Sequence, residues 1–203
     1  MQGEGNLRKD RQNIADDLIE STKNVIARDG LDKASTRNIA REIDLADAYI
    51  YQYFPSKEAL FAQTFLKEDS MLSGEVQHCL AAVRQISLAA KEHYRFLFGC
   101  IWKYLMENPD SCRFYVQYYY SPYYQKNSAP AHLQTWQPML DSMSVFFKPD
   151  ADEKAILRLV LNTTLGLAIK ALDSDLQNDD GAADRHFEMI FGIMLPWLII
   201  EEN

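Results

Sequence analysis

Residues 35–54 read STRNIAREIDLADAYIYQYF, and their spacing is that of a helix-turn-helix. Ala40 is small at the point where two helices must approach closely, and Asp44 falls four residues later, at the tight turn. Ile50, ten residues after Ala40, is the apolar residue that anchors the second helix. In such a pair the second helix enters the major groove of DNA and presents its N-terminal side chains to base edges. The stretch therefore predicts a DNA-binding head.

The segments on either side continue the helical pattern. An amphipathic helix before the stretch ends at Gly30, Pro55 stops the second helix, and Ser56 caps a longer helix that follows. Apolar residues recur at helical spacing through the rest of the chain, and only the run from residue 115 to 120 is typical of a strand. Pro138 is expected to kink or break its helix. The predicted fold class is all-α, with later helices near residues 56–82, 86–107, 110–124, 131–147, 152–176 and 183–200.

Composition excludes several classes of protein. The chain has 203 residues, of which 47% are hydrophobic, and a formal net charge of −8, so it is neither disordered nor basic overall. Cys79, Cys100 and Cys112 form no CxxC pair, which predicts no disulfide framework and argues against zinc. The N-terminus lacks the apolar segment of a signal peptide, and the longest apolar run, residues 190–200, is about half a membrane span. We expect a cytoplasmic protein outside the membrane.

Sequence motifs of enzymes are absent. HExxH, GxSxG, GxGxxG and the P-loop pattern do not occur, and the four histidines lack the spacing of metal ligands. His78 beside Cys79 is a weak thiol pair, and Cys79 is better explained as a small buried apolar residue. The sequence therefore predicts no enzyme activity, no cofactor and no metal site.

The helix-turn-helix and its flanks together resemble the tetracycline-repressor (TetR) family of transcriptional regulators. That family shows a first helix ending near glycine, a Thr-Arg-x-Ile-Ala helix, a recognition helix ending in Tyr-x-x-Phe, and a Ser/Asn-Lys-x-x-Leu start to the next helix. The resemblance covers about residues 11–65. The matching residues are Gly30, Thr36, Arg37, Ile39, Ala40, Leu45, Ile50, Tyr51, Phe54, Ser56, Lys57 and Leu60.

Two positions depart from the family pattern. Asp44 replaces the usual turn glycine, and aspartate tolerates the left-handed backbone conformation better than most residues. Ala46 is a poor N-cap, and Asp47 suits the helix dipole but repels phosphates, although it can accept a hydrogen bond from a cytosine amine. These departures bear on the operator sequence rather than on the fold.

The motif assigns expected contacts to the DNA backbone and to bases. Ser35 or Thr36 caps the second helix, and Arg37 either lies near a phosphate or pairs with Glu42 or Asp32. Helix N-termini and neutral hydroxyls also bind phosphates, so an acidic protein can still bind DNA. The residues expected to contact DNA are Ser35, Thr36, Arg37, Asp47, Ala48, Tyr49, Tyr51, Gln52, Tyr53 and Lys57.

Aromatic residues crowd the segment from residue 94 to 147. Most belong in a helical core, but several tyrosines together indicate a partly polar cavity, since a buried tyrosine hydroxyl needs a partner. In the TetR family this region binds the inducer, so the resemblance implies a site for a small apolar or aromatic molecule. The residues expected to line it are Phe98, Trp102, Tyr115, Tyr119, Trp136 and Met139.

The last two predicted helices, near residues 152–176 and 183–200, carry broad apolar stripes. In the family these helices pair with their copies in a homodimer, which reads a palindromic operator on double-stranded DNA. The resemblance thus implies a helix-turn-helix DNA-binding domain over residues 1–55 and a helical ligand-binding and dimerisation domain over residues 56–203. The expected function is that of a repressor released by its ligand. The alternative is a helical protein that binds a small molecule or a partner and has lost specific DNA binding.

Overall fold

The architecture is helical throughout the part of the chain that the computed structural model describes, which is residues 2–83, 89–174, 176, 179 and 181–199, without the side chains of residues 2–12 and 90. Short 3-10 helices span Leu31–Lys33, Asp47–Gln52, Ser144–Phe146 and Leu195–Trp197. The described residues contain no strand, only one antiparallel bridge between Phe147 and Leu198. The all-α prediction is confirmed. The α-helices are α1 (Gln2–Asp29), α2 (Thr36–Arg41), α3 (Lys57–Val83), α4 (Ala90–Glu107), α5 (Pro109–Tyr119), α6 (Pro122–Asn127), α7 (Ala129–Met143), α8 (Glu153–Leu172) and α9 (Ala182–Met194).

Packing divides the chain into two units. Unit 1 consists of residues 1–68 and 113–131, and unit 2 consists of residues 69–112 and 132–203. The division differs from the boundary predicted after residue 55, because the start of α3 packs within unit 1. Phe65 of α3 is fully buried, and its ring lies 4.9 Å from the rings of Tyr115 and Tyr118 and 5.5 Å from that of Tyr124. The assignment of separate functions to the two parts stays a prediction.

Prolines explain where several helix ends differ from expectation. The helix predicted over residues 110–124 is two helices, because Pro122 begins α6 after a break at which the Ser121 hydroxyl donates to the Tyr118 carbonyl. The last helix ends at Met194, and the chain then forms a 3-10 helix around Pro196. Pro138, in contrast, lies inside α7, which continues past it. The strand-like run from residue 115 to 120 is mostly helical and belongs to α5.

The prediction that the cysteines form no disulfide is wrong for one pair. Cys79 of α3 and Cys100 of α4 form a disulfide in unit 2, with their Cα atoms 6.7 Å apart, and Cys112 is free and buried. The separation of 21 residues along the chain carries no recognisable pattern. Only the packing of two helices brings the sulfur atoms together.

One helix among the described residues is long and apolar enough to cross a membrane by length and composition. It is α8, and 39% of its most apolar window of 18 residues is buried. Core helices of soluble proteins pass the same test, so this is weak evidence for a membrane span. The incomplete burial shows that α8 keeps apolar surface that the rest of the chain does not cover.

Candidate DNA interface and ligand cavity

The first helix of the motif begins with a side-chain cap. The Ser35 hydroxyl accepts a hydrogen bond from the Asn38 backbone N–H at 3.1 Å, which settles the choice between Ser35 and Thr36 as the N-cap of α2. Ala40 and Ile50 are both fully buried, as their spacing predicts for the two residues at the crossing of the helices. The core of the helix-turn-helix therefore forms as expected.

The turn of the motif uses aspartate where glycine is usual. Asp44 has φ of 54°, in the left-handed region, and the following residue, Leu45, donates its backbone N–H to the Ala40 carbonyl at 2.9 Å. This bond satisfies a carbonyl at the end of α2, as left-handed helix ends commonly do. The expectation that Asp44 can hold the turn is confirmed.

The second helix of the motif is the recognition segment, Asp47–Gln52, and it is a 3-10 helix rather than an α-helix. Ala46 gives it no side-chain cap, and the bond from the Tyr49 N–H to the Ala46 carbonyl spans three residues. Tyr49 is 47% exposed and Tyr51 is 56% exposed, whereas Ile50 points into the core of unit 1. A row of polar and aromatic side chains is thus free to meet DNA.

The basic residues of the motif divide into paired and unpaired groups. Arg28 of α1 pairs with Glu42 at 2.9 Å and with Asp29 at 2.9 Å, and it lowers the pKa of Asp29 by hydrogen bonding. Glu42, one of the two partners predicted for Arg37, thus forms its ion pair with Arg28 instead. Arg37 is exposed, and no ion pair joins it to another described residue. Lys57 is half-buried, with its Nζ atom 5.4 Å from the centre of the Phe61 ring. Arg37 therefore carries a charge that other parts of unit 1 do not neutralise.

All ten residues predicted to contact DNA lie in unit 1, and none of them is buried. Thr36, Tyr53 and Lys57 are half-buried. The exposed ones are Ser35, Arg37, Asp47, Ala48, Tyr49, Tyr51 and Gln52. Their DNA contacts stay a prediction.

Sequence reasoning missed Gln117 of α5, which fixes the segment that leads into the motif. Its Nε2 donates to the Ile26 carbonyl and its Oε1 accepts from the Leu31 N–H, both at 2.9 Å. Gly30 lies between these two positions with φ of 93°, a conformation that favours glycine. The amide of Gln117 thus holds the end of α1 and the start of the next turn. No local pattern marks it, because its partners lie 86 and 91 residues away.

Unit 2 contains a cavity of about 80 Å³ among α4, α7, α8 and α9. Of the six residues predicted to line a ligand site, Phe98, Trp136 and Met139 do line it. Trp102 does not, because its ring packs against His186 at 4.7 Å. The other lining residues are Tyr94, Leu97, Ile101, Leu140, Met143, Phe147, Glu153, Ile156, Leu157, Val160, Leu161, Thr164, Phe187, Ile190 and Met194.

Tyr115 and Tyr119 are misplaced in the predicted ligand site. They belong to unit 1, where the Tyr119 ring lies 4.5 Å from that of Tyr124 and the Tyr115 ring packs on Phe65. Their spacing on α5 is the same as that of a cavity-lining pair, so the sequence could not separate the two roles. The structure assigns these rings to the core of unit 1.

Three polar residues of the cavity wall were missed by sequence reasoning: Tyr94, Glu153 and Thr164. The hydroxyls of Tyr94 and Thr164 are buried and have no hydrogen-bond partner among the described residues. Burial raises the pKa of Tyr94, and the nearby Glu153 carboxylate raises it further. The wall is therefore apolar except for two neutral hydroxyls and one carboxylate.

The indole of Trp136 connects the cavity wall to α3. Its Nε1–H donates to the Asp69 Oδ1 atom at 2.8 Å, and His132 Nδ1 lies 2.9 Å from the same oxygen. Asp69 is fully buried, and its Oδ1 atom is the shared partner of these two groups of α7. Among the described residues, no group of three or more His, Cys, Asp or Glu is placed to hold a metal ion.

Large apolar side chains remain exposed on the last helices of unit 2. Met189 is 61% exposed and Ile193 is 49% exposed, and Trp197 extends the same row at 43%. Met189 and Ile193 are four residues apart and lie on one side of α9, and Trp197 follows them in the 3-10 helix Leu195–Trp197. Leu159 of α8 is also 41% exposed. Surface of this kind usually marks an interaction site.

Comparison with known proteins gives a consistent picture. The sequence model of the family described as bacterial regulatory proteins, tetR family, matches residues 18–64. An HTH-type transcriptional regulator of Haemophilus influenzae is 25% identical over 174 residues, which are 84% of this chain and 91% of that protein.

Solved structures share the fold at low sequence identity. A TetR family transcription regulator from Marinobacter aquaeolei has a TM-score of 0.75 and 17% identity, over 95% of this chain and 98% of that one. FadR from Bacillus subtilis, solved in complex with stearoyl-CoA, has a TM-score of 0.65 and 18% identity, over 86% of this chain and 96% of that one. The family match thus falls on the helix-turn-helix, residues 18–64, and the fold is shared with a solved TetR family regulator over nearly the whole chain, so the chain is similar to the bacterial transcription regulators of this family.

Proposed function

We propose that the protein is a cytoplasmic repressor that binds a palindromic operator as a homodimer and is released by a small apolar or aromatic molecule. The observation that carries the DNA-binding part is the recognition segment. Its Ile50 is fully buried while Tyr49 and Tyr51 are about half exposed, so the segment is anchored on one side and open to a partner on the other. The unpaired Arg37 adds a positive charge for a phosphate.

The exposed apolar row of Met189, Ile193 and Trp197 supports dimerisation through α8 and α9. A twofold interface places the same surface of both copies in contact, so one apolar row on the chain can supply both sides of it. Two copies would then present two recognition segments to half-sites about 34–36 Å apart, one helical turn of DNA.

The cavity supports the response to a ligand. Trp136 forms part of its wall and donates a hydrogen bond to Asp69 of α3. The helix α3 begins at Lys57, shortly after the recognition segment, and runs on to Val83. A ligand that moves the indole therefore acts on a side chain of the helix that follows the motif. FadR from Bacillus subtilis, which shares the fold, was solved with stearoyl-CoA, so a ligand site has precedent in this architecture.

In vitro selection of random duplex DNA by the purified protein, at a stated moderate salt concentration, tests the DNA-binding part. We expect an enriched palindrome that Tyr49→Ala weakens or alters, because the Tyr49 ring is exposed at the recognition segment. Tyr120→Ala is the matched control, since Tyr120 is 59% exposed in unit 1 but lies outside the motif. Failure of the wild-type protein to enrich any sequence, at low or moderate salt, would overturn the repressor proposal.

The alternative function is that of a ligand-binding or partner-binding protein without specific DNA binding. It is favoured by the acidic and uncapped start of the recognition segment, where Asp47 is exposed and Ala46 forms no cap. The selection experiment separates the two functions. If an operator is found, ligand and operator must weaken each other by the same factor, because coupling of two binding equilibria is reciprocal.

A further inference from the structure

The cavity of unit 2 holds two buried hydroxyls that have no hydrogen-bond partner among the described residues. Thr164 is 1% exposed and Tyr94 is 8% exposed, and both side chains line the cavity. The neighbouring Thr163 shows the usual arrangement in a helix, since its hydroxyl donates to the Leu159 carbonyl at 2.8 Å. An unpaired buried hydroxyl opposes folding, and native proteins keep few of them. Two such hydroxyls among the residues that line one cavity indicate that a bound ligand supplies their hydrogen-bond partner.

The charge of the wall restricts that partner. Glu153, in the first turn of α8, is the one carboxylic acid among the described lining residues, and none of those residues is basic. An anionic group in the cavity would lose its hydration beside a negative charge and gain no cation in return. An ammonium group could pair with Glu153 and donate to the hydroxyl oxygens, but it has no lone pair to accept a hydrogen bond from either hydroxyl.

We propose that the cavity binds a small neutral apolar molecule carrying one hydroxyl or carbonyl oxygen, which accepts hydrogen bonds from Tyr94 and Thr164. The inference rests on the proposed ligand-binding function and adds the chemical class of the ligand. The apolar body of the molecule meets Phe98, Ile156 and the other apolar side chains of the wall. A ligand hydroxyl can also donate a hydrogen bond to the Glu153 carboxylate. Tyr94, Thr164 and Glu153 would then each have a hydrogen-bond partner on the ligand.

The size of the cavity sets the scale of the probes. Engineered cavities of about 150 Å³ hold benzene, and this cavity measures about 80 Å³. Met139, Met143 and Met194 line it, and methionine side chains adapt readily to a ligand. A single aromatic ring is therefore a suitable probe. Phenol and toluene have nearly the same shape and differ by a hydroxyl in place of a methyl group, which isolates the polar contribution.

The experiment measures binding of phenol, toluene, benzoate and benzylammonium to the full chain by equilibrium dialysis in sealed cells. We expect phenol to bind most tightly and benzoate least tightly. Tyr94→Phe and Thr164→Val each remove one hydroxyl while keeping the shape. Each should weaken phenol binding by about 2- to 12-fold, the range of one net hydrogen bond, and should leave toluene binding unchanged. Thr163→Val, which alters a hydroxyl that does not line the cavity, should leave phenol binding unchanged.

A second measurement guards against variants that merely damage the fold. Because Thr164→Val removes an unpaired buried hydroxyl, the ligand-free variant should melt at the same temperature as the wild type or higher, while its phenol affinity falls. A lower melting temperature would show that the hydroxyl is satisfied within the protein and would overturn the inference.

The outcomes also separate this inference from the proposed function. Equal binding of toluene and phenol, unaffected by the two variants, would leave a ligand cavity but overturn the role of the hydroxyls. Tighter binding of benzylammonium or benzoate than of phenol would overturn the neutral class. If none of the four compounds binds, both the inference and the ligand-binding part of the proposed function fail, whereas the DNA-binding part is judged by the selection experiment alone.

Discussion

Replacing Gln117 by methionine removes the amide that holds the segment leading into the helix-turn-helix. Methionine keeps nearly the same length and volume but offers no strong donor or acceptor. The Ile26 carbonyl keeps a second hydrogen bond, from the Gly30 N–H at 3.0 Å, so its loss is small. The Leu31 N–H has Gln117 as its only partner among the described residues, and it is left unsatisfied.

The magnitude follows from these two bonds. A surplus hydrogen bond contributes about 0.5–1.5 kcal/mol, and an unsatisfied amide costs about 1–3 kcal/mol when it is buried. Leu31 is half-buried, which places its cost at the low end of that range. We therefore expect Gln117→Met to lower the free energy of unfolding by about 1–3 kcal/mol. In a chain of this length each kcal/mol lowers the melting temperature by about 2–4 °C.

Thermal and urea denaturation followed by circular dichroism measure the stability, and amide hydrogen exchange reports on Leu31 directly. We expect faster exchange at the Leu31 amide in the variant. Gln63→Met is the matched control, because Gln63 is exposed on α3 and should change stability by less than about 0.5 kcal/mol. If Gln117→Met behaves like this control and Leu31 exchange stays unchanged, the Gln117 amide does not hold this segment.

Three further predictions concern DNA binding, assembly and pH. Arg37→Ala should weaken operator binding and reduce the slope of log affinity against log salt by about 0.9, since one neutralised phosphate is lost; an unchanged slope would show that Arg37 contacts no phosphate. Met189→Lys should weaken self-association by about tenfold or more, as sedimentation measures it, because it places a charge in the apolar row. Met71→Lys, at a residue that is 49% exposed on α3, should not, and equal effects would place the interface elsewhere. Burial and then the charge of Arg185 lower the pKa of His186 from 6.5, so the free energy of unfolding should be highest above pH 6.5. It should fall as the pH drops below 6.5 and level off once the pH is below the folded-state pKa, because the unfolded chain binds the proton first. In urea titrations at several pH values, His186→Gln should flatten this dependence and the exposed His78→Gln should not; a slope kept by His186→Gln would assign it to other groups.

The features that sequence predicted best are those set by neighbouring residues. The cap at Ser35 or Thr36, of which the structure selects Ser35, the left-handed turn at Asp44 and the buried positions Ala40 and Ile50 depend on bonds and contacts within about fifteen residues. Short-range spacing carries this information because a capping oxygen or a tight turn meets its partner a few positions away. The family resemblance rested on the same stretch, and for the same reason it covered only the head.

The ligand cavity shows where local information ends. Phe98 and Trp102 lie one turn apart on α4, yet Phe98 lines the cavity and Trp102 packs against His186. Tyr115 joins the core of unit 1 although its residue type and helical spacing suit a cavity equally well. Both roles require an aromatic residue on the buried side of a helix, so periodicity cannot tell them apart.

The sequence by itself determined the all-α class, the helix-turn-helix and the exposed residues of the recognition segment. Only the tertiary structure decided that Cys79 meets Cys100, that the Gln117 amide holds the end of α1, and that Tyr94 and Thr164, whose buried hydroxyls have no partner among the described residues, line one cavity. Each of these depends on which helices pack together. That choice is made by the sum of many weak apolar contacts over the whole chain, and it leaves no mark on the residues next to any one of them.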